Sequence, residues 1–130
     1  MNGISEILII VGGVFNLGFV LFHIMFWRVF HWKENLASLT HINRSVMQIM
    51  NLCLIFIFLV MAYVSFFHRP DLLQTGMGKT LLVAFSGFWF LRMIEQVIFF
   101  GMKKKISVIL TLIFLGVCVL YLVPFLQAVV

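Results

Sequence analysis

Four long runs of apolar residues, nearly free of charge, follow one another along the chain. They cover residues 4–30, 45–67, 80–100 and 106–130. About 20 consecutive apolar residues at helical rise cross the hydrocarbon core of a bilayer, so each run predicts a transmembrane helix. Segments of alternating polarity, which mark membrane β-strands, do not occur. The pattern predicts an all-α integral membrane protein in which residues 1–130 form one membrane domain.

The short connections between the runs indicate how the helices are arranged. Spans three and four are separated by residues 101–105 alone, and so short a connection joins antiparallel neighbours. We therefore expect an antiparallel four-helix bundle. Basic residues cluster in and beside the first and third connections, whereas the other side of the bundle carries Arg69 and Lys79. Because short basic loops stay in the cytoplasm, we expect both termini on the non-cytoplasmic side.

The composition narrows the class of protein further. Of 130 residues, 64% are hydrophobic and 10% are charged, against about 45–50% and about 25% in soluble domains. A soluble chain of this size has too little interior to hide so much apolar surface. These values exclude a soluble enzyme, a disordered regulator and a nucleic-acid-binding domain. Span one lacks the basic start and small-residue cleavage site of a signal peptide, and we see no targeting extension. We therefore expect a bacterial inner (plasma) membrane.

Polar residues within the predicted spans fall on one face of each helix, at about 100° per residue. The faces comprise Asn16, His23, Trp27 and His31 on span one, Arg44, Gln48 and Asn51 on span two, Arg92, Glu95 and Gln96 on span three, and Ser107, Thr111 and Cys118 on span four. Lipid disfavours such faces, so we expect them to point inward and meet. They should meet in the cytoplasmic half of the bundle, because the other half reads as almost entirely apolar.

One cluster is therefore the candidate binding site. Its members are Arg44, Arg92, Glu95, His23, Gln48, Asn51 and Gln96. Two guanidinium groups beside the single deep carboxylate of Glu95 predict a pocket with net positive charge. Such a pocket suits the anionic or carbonyl-bearing head of an amphipathic ligand, for example a lipid, a fatty acid, a quinone or a polyprenyl phosphate. Docking of a membrane partner is the related hypothesis.

Two alternatives remain open at this point. The polar residues can serve as hydrogen bonds between helices in a structural or assembly subunit that binds no ligand. His23 can ligate haem or form an acid–base pair with Glu95, although no second histidine lies at a similar depth and no nucleophile stands beside it. A hydrogen bond from His23 to Glu95 or to Asn51 fits the sequence better. We therefore favour a protein that is not an enzyme and needs no metal or cofactor. A homo-oligomer or larger membrane complex would cover more apolar surface.

Overall fold

The computed structural model describes residues 3–130, and this part of the chain is helical and contains no strand. The long helices are α1 (Gly3–Ile24), α4 (His41–Phe67), α6 (Gly76–Phe100) and α7 (Lys105–Val129); the short elements are α2 (Phe26–Val29), α3 (Trp32–Asn35), a 3-10 turn (Leu36–Ser38) and α5 (Arg69–Gln74). All four long helices are long and apolar enough to cross a membrane. The all-α prediction with four such helices is confirmed.

The first predicted span is interrupted before its end. Helix α1 stops at Ile24, where the Met25 N–H is shared between the carbonyls of Leu21 and Phe22, both at 3.1 Å. A second break follows at His31, whose φ of 51° is left-handed, a conformation that costs a non-glycine residue roughly 1–2 kcal/mol. The breaks turn the chain, so the polar face of α1 does not continue beyond His23. Trp27 and His31 are exposed instead.

Polar caps set where two of the other helices begin. Thr40 Oγ1 accepts a hydrogen bond from the Asn43 N–H at 3.2 Å, and Thr75 Oγ1 accepts one from the Gly78 N–H at 2.9 Å. Each cap satisfies a backbone donor that the first helical turn leaves free. Helices α4 and α6 begin one turn before the apolar runs that start at 45 and 80. The first turn of each helix is polar, so the hydropathy pattern did not include it.

The helices pack in the spatial order α4, α1, α7, α6, and α5 lies against α6. Four rings fill the middle of the bundle and are named here the aromatic layer: Phe19, Phe58, Trp89 and Phe114. The backbones of α4 and α6 do not pack closely along their length. They meet through the aromatic layer, where the rings of Phe58 and Trp89 stack with centroids 5.4 Å apart.

Candidate functional site

His23 and Asn51 form a reciprocal pair that joins α1 to α4. His23 Nδ1 lies 2.8 Å from Asn51 Oδ1, and Asn51 Nδ2 donates to the main-chain carbonyl of His23 at 3.1 Å. Both side chains are buried. Of the two partners expected for His23, the structure confirms Asn51, and its hydrogen bonds include none between His23 and Glu95 within residues 3–130.

The hydrogen bond from Asn51 to the His23 carbonyl lies beside the end of helix α1. Helix α1 ends at Ile24, one residue after His23, and the Asn51 amide donates to the His23 carbonyl from the neighbouring helix. Lipid offers no hydrogen-bond partner to a side-chain amide, so such a group is satisfied within the protein. The bond therefore fastens the end of α1 to α4.

Gln96 connects α6 to the beginning of α7. Its Nε2 donates to Ser107 Oγ at 3.0 Å, and Ser107 Oγ donates to the Gly101 carbonyl at 2.6 Å. Gln96 is buried and its Oε1 lies 3.5 Å from Arg92 Nη2, at the long limit for a hydrogen bond. The chain of contacts fastens the turn between the last two helices.

Arg44 and Gln48 turn toward their own segment. Arg44 Nη2 donates to the Leu39 carbonyl at 3.1 Å, and Gln48 Nε2 donates to the Arg44 carbonyl at 3.2 Å. Within the part of the chain that the structure describes, the Nε of Arg44 is buried without a hydrogen-bond partner and Arg44 forms no ion pair across the bundle. In this arrangement Arg44 closes the loop before α4.

Glu95 does not hold the central position that its charge predicted. In residues 3–130, the ion pairs within 4 Å join Arg69 to Glu6 at 3.9 Å and His68 to Asp71 at 3.1 Å. Glu95 is half-buried on α6, within electrostatic range of Arg92 but outside ion-pair distance. One helical turn separates the two residues, and the Arg92 guanidinium is instead drawn over an aromatic ring.

Arg92 lies against the aromatic layer. Its Cζ atom is 4.7 Å from the centroid of Phe114, a cation–π contact. Beyond Phe114 the stacked rings of Trp89 and Phe58 lead to the His23 ring, whose centroid is 5.1 Å from that of Phe58. The charge of Arg92 acts on His23 as well as on Glu95. The seven predicted residues thus form three small groups. These are His23 with Asn51, Arg44 with Gln48, and Arg92 with Glu95 and Gln96.

Two grooves in the described part of the chain have volumes of about 370 and 390 Å³. The first runs between α1 and α7, and its wall includes Val14, Gly18, Phe22 and Leu110. The second lies near the end of α7. Neither groove is lined by any of the seven predicted site residues, so the polar cluster is not the floor of these apolar grooves.

A second polar cluster lies in the half of the bundle that the sequence indicated as apolar. The Tyr121 hydroxyl is 2.9 Å from Asn16 Nδ2 and 2.7 Å from Ser65 Oγ, which links α7, α1 and α4. Asn16 Nδ2 also donates to the Gly12 carbonyl, and Ser65 Oγ donates to the Met61 carbonyl. The expectation of an almost purely apolar half is therefore wrong. The sequence did contain a sign of this cluster, because Asn16, Ser65 and Tyr121 lie at similar depths on three different spans.

Among residues 3–130, no group of three or more His, Cys, Asp or Glu side chains is placed to hold a metal ion. Comparison of the chain with protein-family models, with curated proteins and with solved structures returned no match.

Proposed function

We propose that the chain is a bacterial inner-membrane protein whose four long helices alternate in direction. Three contacts support an antiparallel bundle. Ser5 near the start of α1 donates to Gln127 near the end of α7, Gln96 near the end of α6 donates to Ser107 near the start of α7, and His23 near the end of α1 pairs with Asn51 in the first half of α4.

The distribution of basic residues supports the orientation of the bundle. The end where α1 and α6 stop is named here the basic end; its neighbouring basic residues are Arg28, Lys33, Arg44, Arg92, Lys103, Lys104 and Lys105. At the opposite end, Arg69 and Lys79 are accompanied by Glu6 and Asp71. Because loops rich in Lys and Arg remain cytoplasmic, the basic end would face the cytoplasm and both termini would lie outside it.

Within this arrangement, the proposed function is binding of the anionic head of an amphipathic, lipid-like ligand at the basic end. The single observation that carries the proposal is the state of Arg92. Its guanidinium is half-buried in a candidate membrane helix and rests on Phe114, and among residues 3–130 no carboxylate lies within ion-pair distance of it. Charges inside a membrane are costly and are ordinarily paired. The oxygens of an anionic head would provide that pair with charge-assisted hydrogen bonds.

The side of the bundle where the backbones of α4 and α6 do not pack closely is the proposed route to Arg92. On α4, Asn51 lies two turns before Phe58, whose ring contacts Trp89 of α6 as well as Phe19 of α1. On α6, Arg92 lies about one turn beyond Trp89, the stacking partner of Phe58. The two helices are joined mainly by side chains at this layer. A head group entering from the basic end would meet Arg92 from one side and the His23–Asn51 pair from the other.

Native mass spectrometry of protein extracted gently from its own membranes tests this function. We expect a stoichiometric lipid-like adduct on the wild-type protein and its loss in Arg92→Gln, while the protein still inserts. Arg28→Gln is the matched control, because Arg28 is an exposed arginine near the same end and should leave the adduct in place. Retention of the adduct in both Arg92→Ala and Arg44→Ala would show that the arginines do not hold it.

A structural or assembly subunit without a ligand is the second candidate. The hydrogen bonds of His23 with Asn51 and of Gln96 with Ser107 favour it, because they satisfy the polar groups within the chain. In that case the same measurement would give a bare monomer, a homo-oligomer or a complex with another membrane chain. Glu95→Gln would then alter stability without changing any bound species. A haem carrier or membrane enzyme would instead reveal itself by a visible absorbance band or by turnover that His23→Ala abolishes.

A further inference from the structure

The two hydrogen bonds of Asn51 determine which ring nitrogen of His23 carries the hydrogen. A carbonyl oxygen only accepts, so the amide nitrogen of Asn51 must face the His23 carbonyl, 3.1 Å away. The amide oxygen therefore faces the ring nitrogen Nδ1 at 2.8 Å. Because that oxygen also only accepts, Nδ1 must donate and must carry the hydrogen. The two hydrogen bonds thus fix the orientation of the Asn51 amide, because the flipped amide would place its oxygen against the His23 carbonyl oxygen, and both only accept.

The other ring nitrogen, Nε2, is then a hydrogen-bond acceptor. A neutral imidazole has one N–H and one lone pair, and among residues 3–130 no ion pair joins His23 to a carboxylate. The ring stacks on Phe26 with centroids 4.2 Å apart and contacts Phe58. These contacts and the Asn51 bond hold the ring in one orientation. His23 therefore presents a fixed acceptor, and it lies within electrostatic range of Arg92.

We propose that the head group bound at this site is a lipid phosphate monoester carrying one proton, with its P–O–H donating to His23 Nε2 and its anionic oxygens bound by Arg92. The inference rests on the proposed function and names the ligand class for the same site. A lone pair and a guanidinium are satisfied together by a group that has both an O–H and an anionic oxygen. A singly protonated phosphate monoester has both, whereas a phosphate diester has no hydrogen on its phosphate oxygens.

The charges around the site favour one negative charge on the ligand over two. Arg92 shares its field with Glu95, which lies within electrostatic range on the same helix. Arg44 is engaged by the Leu39 carbonyl and does not add a second guanidinium to the contact. With one guanidinium in contact and Glu95 opposing its charge, a singly charged phosphate is favoured over a doubly charged one, and its remaining proton has His23 as an acceptor.

Nitrogen-15 NMR of histidine-labelled protein tests the tautomer without any ligand. The chain has four histidines, and the signals lost in His23→Phe identify those of His23. We expect Nδ1 to give a protonated-type shift and Nε2 a lone-pair shift in the wild type. Asn51→Leu should weaken this preference. A hydrogen on Nε2 in the wild type would overturn the inference.

A pair of lipids with identical acyl chains tests the head group. Phosphatidic acid is a monoester and phosphatidylethanol is a diester, and at about pH 6 roughly half of a phosphate monoester carries one proton. We expect wild-type protein to retain phosphatidic acid about tenfold more strongly in native mass spectrometry, as for one hydrogen bond to a charged group. His23→Phe should remove the preference, and the matched variant His41→Phe, at an exposed histidine, should keep it.

The outcomes separate this inference from the proposed function. Equal retention of both lipids, with both lost in Arg92→Gln, would overturn the monoester assignment and leave anion binding at Arg92 standing. Retention that is independent of Arg92 would overturn both. If His23→Phe still prefers phosphatidic acid, the preference comes from the higher mean charge of that lipid. The role proposed for His23 would then be wrong.

Discussion

The amide of Asn51 binds two groups of His23 at once, the ring nitrogen Nδ1 at 2.8 Å and the main-chain carbonyl at 3.1 Å. The pair joins α1 to α4, one residue before α1 ends at Ile24. A single side chain thus provides an interhelical contact and orients an imidazole. The proposed binding site thus includes residues that also join two helices.

Replacing Asn51 should destabilise the bundle more than replacing its neighbour on the same helix. Asn51→Leu removes the partner of His23 Nδ1 and the side-chain donor to the His23 carbonyl, and we expect a loss of about 1–3 kcal/mol in the free energy of unfolding. Gln48→Leu is the control, because Gln48 bonds a carbonyl of its own helix. Unfolding in bicelles by steric trapping measures both variants. Equal losses would contradict a bridging role for Asn51.

The two tyrosines of the chain provide a matched pair for the second polar cluster. Tyr121 is fully buried and its hydroxyl bonds Asn16 and Ser65, whereas Tyr63 is 57% exposed. Tyr121→Phe should lower the free energy of unfolding by about 1–2 kcal/mol, because buried partners lose a hydrogen bond. Tyr63→Phe should change it by less than about 0.5 kcal/mol. A neutral Tyr121→Phe would mean that the hydroxyl network contributes nothing to stability.

The inward orientation of several polar residues could be predicted from the sequence alone. Helical periodicity placed Asn16, Asn51, Gln96 and Ser107 on interior faces, and all four are buried. The physical reason is simple, since lipid offers no hydrogen-bond partner to a side-chain amide or hydroxyl. The number and type of the long helices followed from the same constraint acting on the apolar residues.

Which polar groups pair with one another could not be predicted in the same way. Charge alone suggested Arg92 or Arg44 for Glu95, but a cation–π contact holds Arg92 and a loop carbonyl holds Arg44. These competing partners depend on how side chains pack across helices. Helical periodicity predicts the face on which a residue lies, but not its packing partner. Tyr121 was missed because its ring is apolar. Its hydroxyl becomes part of a polar cluster only through the packing that brings Asn16 and Ser65 against it.

The link between the last two helices should appear as an energetic coupling between Gln96 and Ser107. A double-mutant cycle of Gln96→Leu and Ser107→Ala should give a coupling energy of about 0.6–1.7 kcal/mol, as for other hydrogen bonds in membrane proteins. The control cycle pairs Gln96→Leu with Thr111→Ala, because Thr111 bonds a carbonyl of its own helix. We expect little coupling there. Additive effects in the first cycle would show that the 3.0 Å contact does not join the helices.

Two glycines of α6 should respond in opposite ways to alanine. A Cβ on Gly78 would overlap the backbone carbonyl of Asp71 and the Cα of Leu72, because α5 lies directly against the first turn of α6. Backbone cannot move aside as a flexible side chain can, so Gly78→Ala should cost about 1–3 kcal/mol. A Cβ on Gly87 meets nothing within 4 Å, and Gly87→Ala should stabilise the helix by up to about 1 kcal/mol. Steric trapping of both variants measures the difference, and a tolerated Gly78→Ala would show that α5 does not dock closely on α6.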